Sequence, residues 1–114
     1  MSEMSERDFE RLADEELQRL VEALTEATDE IDPDLQMGVL SINFEDGTKF
    51  VVNSHRAARQ IWMAAERKAW HFDYRPDDES WVASDGDELW ATVTGTVSRK
   101  VGEELKLDRT LLDR

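Results

Sequence analysis

The spacing of apolar residues changes once along this chain, and that change limits the folds open to it. From Ser5 to Thr28, apolar side chains recur at steps of three and four, the period of an amphipathic helix. They are Phe9, Ala13, Leu17, Leu20, Leu24 and Ala27. After Pro33 the period becomes two, which is typical of half-buried β-strands. The two periods together predict a helix that covers one face of a sheet.

The period-two region predicts an antiparallel sheet of five to six strands. Leu40, Ile42 and Phe44 share one face, and the tight-turn sequence Asp46-Gly47 leads to a partner strand. The residues before Leu40 alternate in the opposite phase, which requires either a bulge near Gly38 or a late strand start. Three further strand-like runs cover residues 59–66, 69–75 and 80–84.

A second helix is predicted after the strands. Asp85, with Glu88 three residues later, favours a helix N-terminus. The apolar residues that follow keep helical spacing, and residues 103–114 are apolar enough to cover a groove beside the helices. The whole order predicts one α+β domain over residues 1–114, a two-layer sandwich with the N- and C-terminal helices on one face of the sheet. The other face is expected to contact water.

Charge and cysteine content exclude several functions. The chain has 27 acidic residues against 14 lysines and arginines, a formal net charge of -13, which opposes binding to nucleic acid or to an anionic membrane. It has no cysteine, so disulfides, thiolate metal sites and cysteine-ligated clusters are excluded. No apolar run approaches the ~20 residues of a membrane span, and no signal-peptide pattern is present. We therefore expect a cytoplasmic protein.

Four acids in six residues, Asp29, Glu30, Asp32 and Asp34, lie where the first helix should end. Negative charge at a helix C-terminus is unfavourable, so this cluster lowers stability. Either the run is simply solvated, or its carboxylates hold hydrated cations weakly at several places. An EF-hand is excluded, because the glycine and the glutamate that its loop requires are missing.

Trp62 is predicted to lie on the open face of the sheet beside Gln60. Ile61 and Met63 alternate with them and face the core. An exposed tryptophan suggests a protein partner, unless the second helix or the C-terminal segment covers it. The other three tryptophans fit core positions. The two histidines have no metal-site spacing and are interpreted as ordinary polar positions, and no catalytic motif is found.

Sequence motifs in the same order as these elements resemble the frataxin family, most closely its bacterial branch. They are Phe9-x-x-Leu12-Ala13-Asp14, Gly38-Val39-Leu40-x-Ile42-x-Phe44-Glu45-Asp46-Gly47-x-Lys49, Val51-Val52-Asn53, Gln60-Ile61-Trp62, His71-Phe72-Asp73, Trp81-Val82 and Gly86-x-x-Leu89-Trp90. The sequence departs from the family pattern at Ala57, where proline is usual, and at residues 65–69, where glycines are usual. Val21 and Thr25 also stand where the family often has acids.

The resemblance implies a non-enzymatic protein that binds Fe2+ and Fe3+ weakly, without a cluster or haem. It would present iron to the cysteine desulfurase and scaffold protein of iron-sulfur cluster assembly, or regulate them. The matching acids are Glu22, Glu26, Asp29, Glu30, Asp32, Asp34 and Glu45, and the matching partner surface is Asn53, Gln60 and Trp62. The expected state is a monomer that could form an iron-dependent oligomer.

Two other functions remain open at this point. One is an adaptor whose acidic face binds a basic partner without needing metal. The other is a ferroxidase, which would require a well-ordered iron site, and the dispersed acids argue against one.

Overall fold

A computed structural model describes residues 4–110 of the chain. They form the elements α1 (Glu6–Ala27), β1 (Ile31–Gln36), β2 (Val39–Phe44), β3 (Lys49–His55), β4 (Gln60–Ala65), β5 (Lys68–Arg75), β6 (Ser80–Ala83) and α2 (Leu89–Val101). The strands make a single antiparallel sheet in chain order, with β1 and β6 at its edges. The predicted α+β sandwich, with two helices on one face of the sheet, is confirmed.

One continuous core joins both helices to one face of the sheet. The apolar stripe of α1 is buried as predicted, except that Ala27 is only half-buried. Trp70, Trp81 and Trp90 are all buried, which confirms their assignment to the core. Burial of one such large apolar side chain contributes roughly 1.5–3 kcal/mol. The alternating strand residues that do not enter this core form the open face.

The two helices begin differently from each other. Ser5 caps α1, because its hydroxyl accepts a 3.0 Å hydrogen bond from the backbone N–H of Asp8. The prediction that Asp85 caps α2 is wrong. The cap is Glu88, whose carboxylate accepts from the backbone N–H groups of Trp90 and Ala91. Asp85 instead accepts from the N–H of Asp87 inside the preceding turn.

The phase change before Leu40 marks a hairpin. Met37 and Gly38 form a two-residue turn with φ values of 50° and 80°, so the residues before it are a separate strand, β1. A bulge is therefore the wrong alternative, and β2 starts late, at Val39. The turn also packs closely, since a Cβ at Gly38 would lie 2.6 Å from the hydroxyl oxygen of Ser54. Pro33 fits within β1 because an edge strand leaves some N–H groups unpaired.

The chain after α2 packs against both helices. Leu105 is buried and Leu107 is partly buried, as expected for a segment that covers a groove. Leu111 and Leu112, predicted to do the same, lie outside the described residues. The guanidinium of Arg109 donates to the carbonyl of Glu79, 2.9 Å away, and so ties this segment to the β5–β6 connection.

A buried carboxylate connects α1 to α2 and to the C-terminal segment. Glu16 is only 4% exposed; it accepts a hydrogen bond from the indole N–H of Trp90, and Arg109 lies 3.5 Å away. Burial raises the pKa of Glu16 above its ordinary value, although the Trp90 hydrogen bond and the Arg109 charge oppose the shift. The ionised carboxylate is therefore less favourable in the folded chain than in the unfolded one.

We expect Glu16→Gln to change how stability depends on pH. Because folding raises the pKa of Glu16, the native protein loses stability as the pH rises from about 4.5, the unfolded pKa, through the higher folded value. The glutamine can still accept from Trp90 but cannot ionise. Denaturant unfolding of both proteins from pH 4 to pH 8 should show the variant gaining stability relative to the parent. Glu15→Gln, at an exposed neighbour, is the control, and parallel curves for Glu16→Gln and the parent would contradict this account.

Candidate functional site

Six acids lie along the last turns of α1, the connection after it and the edge strand β1. We call this surface the acidic edge; its members are Glu22, Glu26, Asp29, Glu30, Asp32 and Asp34. All of them are exposed except Glu22, which is half-buried. The chain therefore places the predicted metal ligands on one continuous stretch of helix, connection and strand, in contact with water.

Local backbone structure fixes the orientation of the two strand acids. Ile31 is buried on the helix side of β1, so Asp32 and Asp34 alternate to the open side. The Nδ2 group of Asn43, on β2, donates to the carbonyl of Asp32 at 3.0 Å and supports the pairing of the two strands. The Asp34 carboxylate accepts from Gln36, at 3.3 Å.

The negative charge of the acidic edge is not compensated within residues 4–110. None of its six carboxylates forms an ion pair with another described residue, and the last turn of α1 contains no basic side chain. Asp46 shows the contrast. Its carboxylate accepts from the Lys100 ammonium at 2.6 Å, and this hydrogen bond holds the pKa of Asp46 well below its usual range.

Glu45 lies at the β2–β3 turn, beyond the acidic edge. It lines a shallow pocket of about 230 Å³ together with Glu30, Asp46 and Lys100. The structure thus brings Glu45 to a member of the acidic edge, although Lys100 places a positive charge in the same pocket. No local sequence pattern indicates that Lys100 reaches this turn, since Lys100 and its ion-pair partner Asp46 are 54 positions apart.

No tight metal site is formed by the residues that the structure describes. Within that part of the chain, no group of three or more histidine, aspartate or glutamate side chains is placed to hold a metal ion. A cation on the acidic edge would therefore keep much of its water shell, as expected for weak binding.

The predicted partner residues lie together on the open face of the sheet. Asn53 on β3 is directly opposite Trp62 on β4. The indole N–H of Trp62 donates to the side-chain oxygen of Gln60 at 2.8 Å, and the Gln60 amide in turn donates to Asp73 at 3.0 Å. These bonds give the indole a fixed orientation on a surface that neither helix covers.

Two histidines enclose the Trp62 indole from either side. The His55 and His71 rings stack on it with centroid distances of 3.8 Å and 4.3 Å and interplanar angles of 14° and 17°. The two histidines, interpreted from the sequence as ordinary polar positions, thus also pack against an aromatic side chain. Within residues 4–110, the side-chain contacts of the half-buried indole are with His55, His71 and Gln60 on the same face, and not with α2 or the segment after it. Only strand register could have revealed the stack, since His71 is opposite Trp62 on β5.

Comparison with known proteins identifies the family. A family model described as a frataxin-like domain matches residues 2–103. The chain is 36% identical over 112 residues to the iron-sulfur cluster assembly protein CyaY of Cupriavidus necator, covering 94% of this chain and 99% of that one. It is 34% identical over 107 residues to the CyaY protein of Thioalkalivibrio sulfidiphilus, covering 91% and 100%. The chain belongs to the frataxin family.

Solved structures agree with this assignment. The frataxin of Psychromonas ingrahamii superimposes with a TM-score of 0.83 at 26% identity, over 90% of this chain and 97% of that one. The trimeric yeast frataxin complexed with ferrous iron, from Saccharomyces cerevisiae, shares the fold with a TM-score of 0.68 at 24% identity, over 90% and 91%.

In residues 4–110, neither helix has the length and apolar character needed to cross a membrane.

We expect the acidic edge to reduce stability. A variant with Asp29→Asn, Glu30→Gln, Asp32→Asn and Asp34→Asn removes like-charge repulsion and the unfavourable charges at the end of α1. In low salt and without metal, its melting temperature should rise by roughly 2–6 °C.

A matched control removes the same number of charges from exposed acids elsewhere, at Asp77, Glu79, Glu103 and Glu104. It should raise the melting temperature less. Asp77 and Glu79 do not follow a helix, and the last turn of α2, which precedes the other two acids, already contains the basic residues Arg99 and Lys100, whereas the last turn of α1 contains none. An unchanged or lower melting temperature in the acidic-edge variant would contradict the expected destabilisation.

Proposed function

We propose that this protein acts in iron-sulfur cluster assembly, where it binds iron weakly along the acidic edge and presents it to, or regulates, a cysteine desulfurase and its scaffold protein. One observation carries the proposal. Six carboxylates lie on one surface with no ion-pair partner in the described residues, at a cost to the stability of α1. The names of the curated relatives support the same process.

The ligand chemistry is consistent with iron in both oxidation states. Carboxylate oxygens are hard ligands, and they bind Fe2+ and Fe3+ as well as magnesium, calcium and manganese. Since no three described side chains converge on one point, each ion would be held by one or two carboxylates and by water. Weak binding at several positions suits a protein that passes iron on. No step requires the chain to hold a cluster or haem, and it has no cysteine for either.

The open face supplies the protein contact in this proposal. Trp62 is a large amphipathic side chain whose N–H group and ring faces are already held by neighbours. Binding would therefore restrict few additional rotamers, which favours affinity. Asn53 and Gln60 provide amide groups beside the indole, so a partner could form hydrogen bonds around an aromatic centre.

The iron proposal predicts a distinct NMR signature. Under anaerobic conditions, added Fe2+ should broaden backbone signals from Glu22 to Asp34 and near Glu45, without saturating at one ion. Magnesium or calcium should compete, because the ligands are hard oxygens. The four-fold amide variant of Asp29, Glu30, Asp32 and Asp34 should weaken binding about ten-fold or more.

The control for this titration is the variant altered at Asp77, Glu79, Glu103 and Glu104, which has the same net charge. It should keep most of the affinity, because the local carboxylates of the acidic edge remain. Equal weakening in both variants would show that net charge, rather than the acidic edge, attracts iron. Signals that changed only around His55 and His71 would place the site on the open face instead.

Trp62→Ala should separate partner binding from folding. Because the side chain lies on the open face, we expect less destabilisation than the ~3–5 kcal/mol typical of a buried tryptophan truncation. Affinity for a desulfurase-scaffold assembly should fall clearly, and iron binding should be unchanged. Denaturant unfolding, a pull-down and the iron titration on the same variant test these three expectations. A large stability loss with unchanged partner binding would assign Trp62 to structure alone.

The same pull-down, repeated with a chelator, tests the adaptor alternative. Iron-dependent regulation predicts that less partner is captured when the chelator removes iron. If the parent protein captured the partner equally well with and without the chelator, the metal-independent adaptor would be the better description.

A further inference from the structure

A basic cleft lies between the β4–β5 turn, the start of β3 and the end of α2. Its volume is about 580 Å³, and its cationic lining residues are Lys49, Arg67, Lys68, Arg99 and Lys100. Phe50, Ala64 and Ala65 also line this cleft, and of the three only Ala64 is exposed. Five of the 14 lysines and arginines thus line one cleft, although the chain as a whole has a net charge of -13.

Three of these cations form no ion pair with another residue that the structure describes. Arg99 donates to both carboxylate oxygens of Glu66, at 2.9 Å and 2.8 Å, and Lys100 is bonded to Asp46. By contrast, no ion pair within residues 4–110 includes Lys49, Arg67 or Lys68. The ammonium of Lys68 lies 4.8 Å from the ring centroid of Trp70. The hydrogen bond from Arg99 lowers the pKa of Glu66, and the charge of Lys68 contributes to this lowering without a direct ion pair.

The turn that presents Arg67 is conformationally unfavourable. Glu66 and Arg67 have φ values of 54° and 65°, in the left-handed region that favours glycine or asparagine. Arg99 on α2 donates to the carboxylate of Glu66, so Glu66 has a role in joining the turn to the helix. Arg67 has no such contact among the described residues. Strained residues that the fold does not require are frequent at binding sites.

We propose that the basic cleft binds an anion with two linked phosphate groups, either free diphosphate or the diphosphate of a nucleotide. Lys49, Arg67 and Lys68 match the roughly three negative charges of such a group, and the arginine fork suits phosphate oxygens. The cleft is within the usual volume range of small-molecule sites, and the exposed Ala64 in its lining could contact a base. At physiological salt, charges beyond about 8 Å are largely screened, so the groups that line the cleft dominate its local field.

The test uses the full chain without metal, titrated with sodium diphosphate and with ADP while backbone NMR signals are followed. Signals of residues 48–50 and 64–68 should shift in a saturable manner, and the affinity should fall between 50 mM and 200 mM salt. If ADP bound more tightly than diphosphate, the preferred ligand would be a nucleotide. If the two affinities were equal, the diphosphate group alone would be what the cleft recognises. Citrate is the comparison anion, and citrate binding as tight as diphosphate binding would overturn the phosphate assignment.

Two variants test the cleft residues. Lys49→Gln and Arg67→Asn should each weaken diphosphate binding at least five-fold. Arg75→Gln, at the far end of β5, removes the same charge from an exposed position and should weaken binding less than two-fold. Arg67→Asn should also raise the melting temperature, because asparagine tolerates the left-handed region. Absence of binding, or equal weakening by all three variants, would overturn the proposal.

Discussion

The structure depends on the packing of two helices against one face of a single sheet. Because side chains alternate along the strands, one set packs against helix residues such as Phe9, Leu17 and Trp90, and the other set faces water. Helices on both faces would bury Trp62 and the strand acids. Because the second face has no layer, the indole stack and the carboxylates of β1 stay accessible without further structural change.

Local sequence patterns predicted most of the elements. The period of α1, the Asp46-Gly47 turn and the alternation around Trp62 each depend on neighbouring residues, so the sequence shows them directly. β1 was missed because Pro33 lies within it and its turn begins with Met37, which rarely adopts a positive φ. The cap of α2 was placed three residues early because both Asp85 and Glu88 can accept from backbone N–H groups.

The candidate surfaces were less predictable because they depend on contacts between residues that are far apart in the sequence. The run of acids near Asp32 was visible in sequence, but only the fold shows that Asp46 has a lysine partner and that the acidic edge has none among the described residues. Likewise, His55 and His71 reach Trp62 through the register of three strands. The basic cleft combines residues of β3, β5, α2 and a turn, so no single segment of the sequence indicates it.

Strand β1 has a further consequence for solubility. An edge strand exposes N–H and C=O groups that can pair with a second copy of the chain, and proteins commonly limit this with proline and charged side chains. Pro33 lacks one donor, and Asp32 and Asp34 would meet their own like charges if two β1 strands paired side by side. The carboxylates that attract cations thus also oppose self-association. Any cation that neutralises them removes part of the barrier to aggregation at this edge.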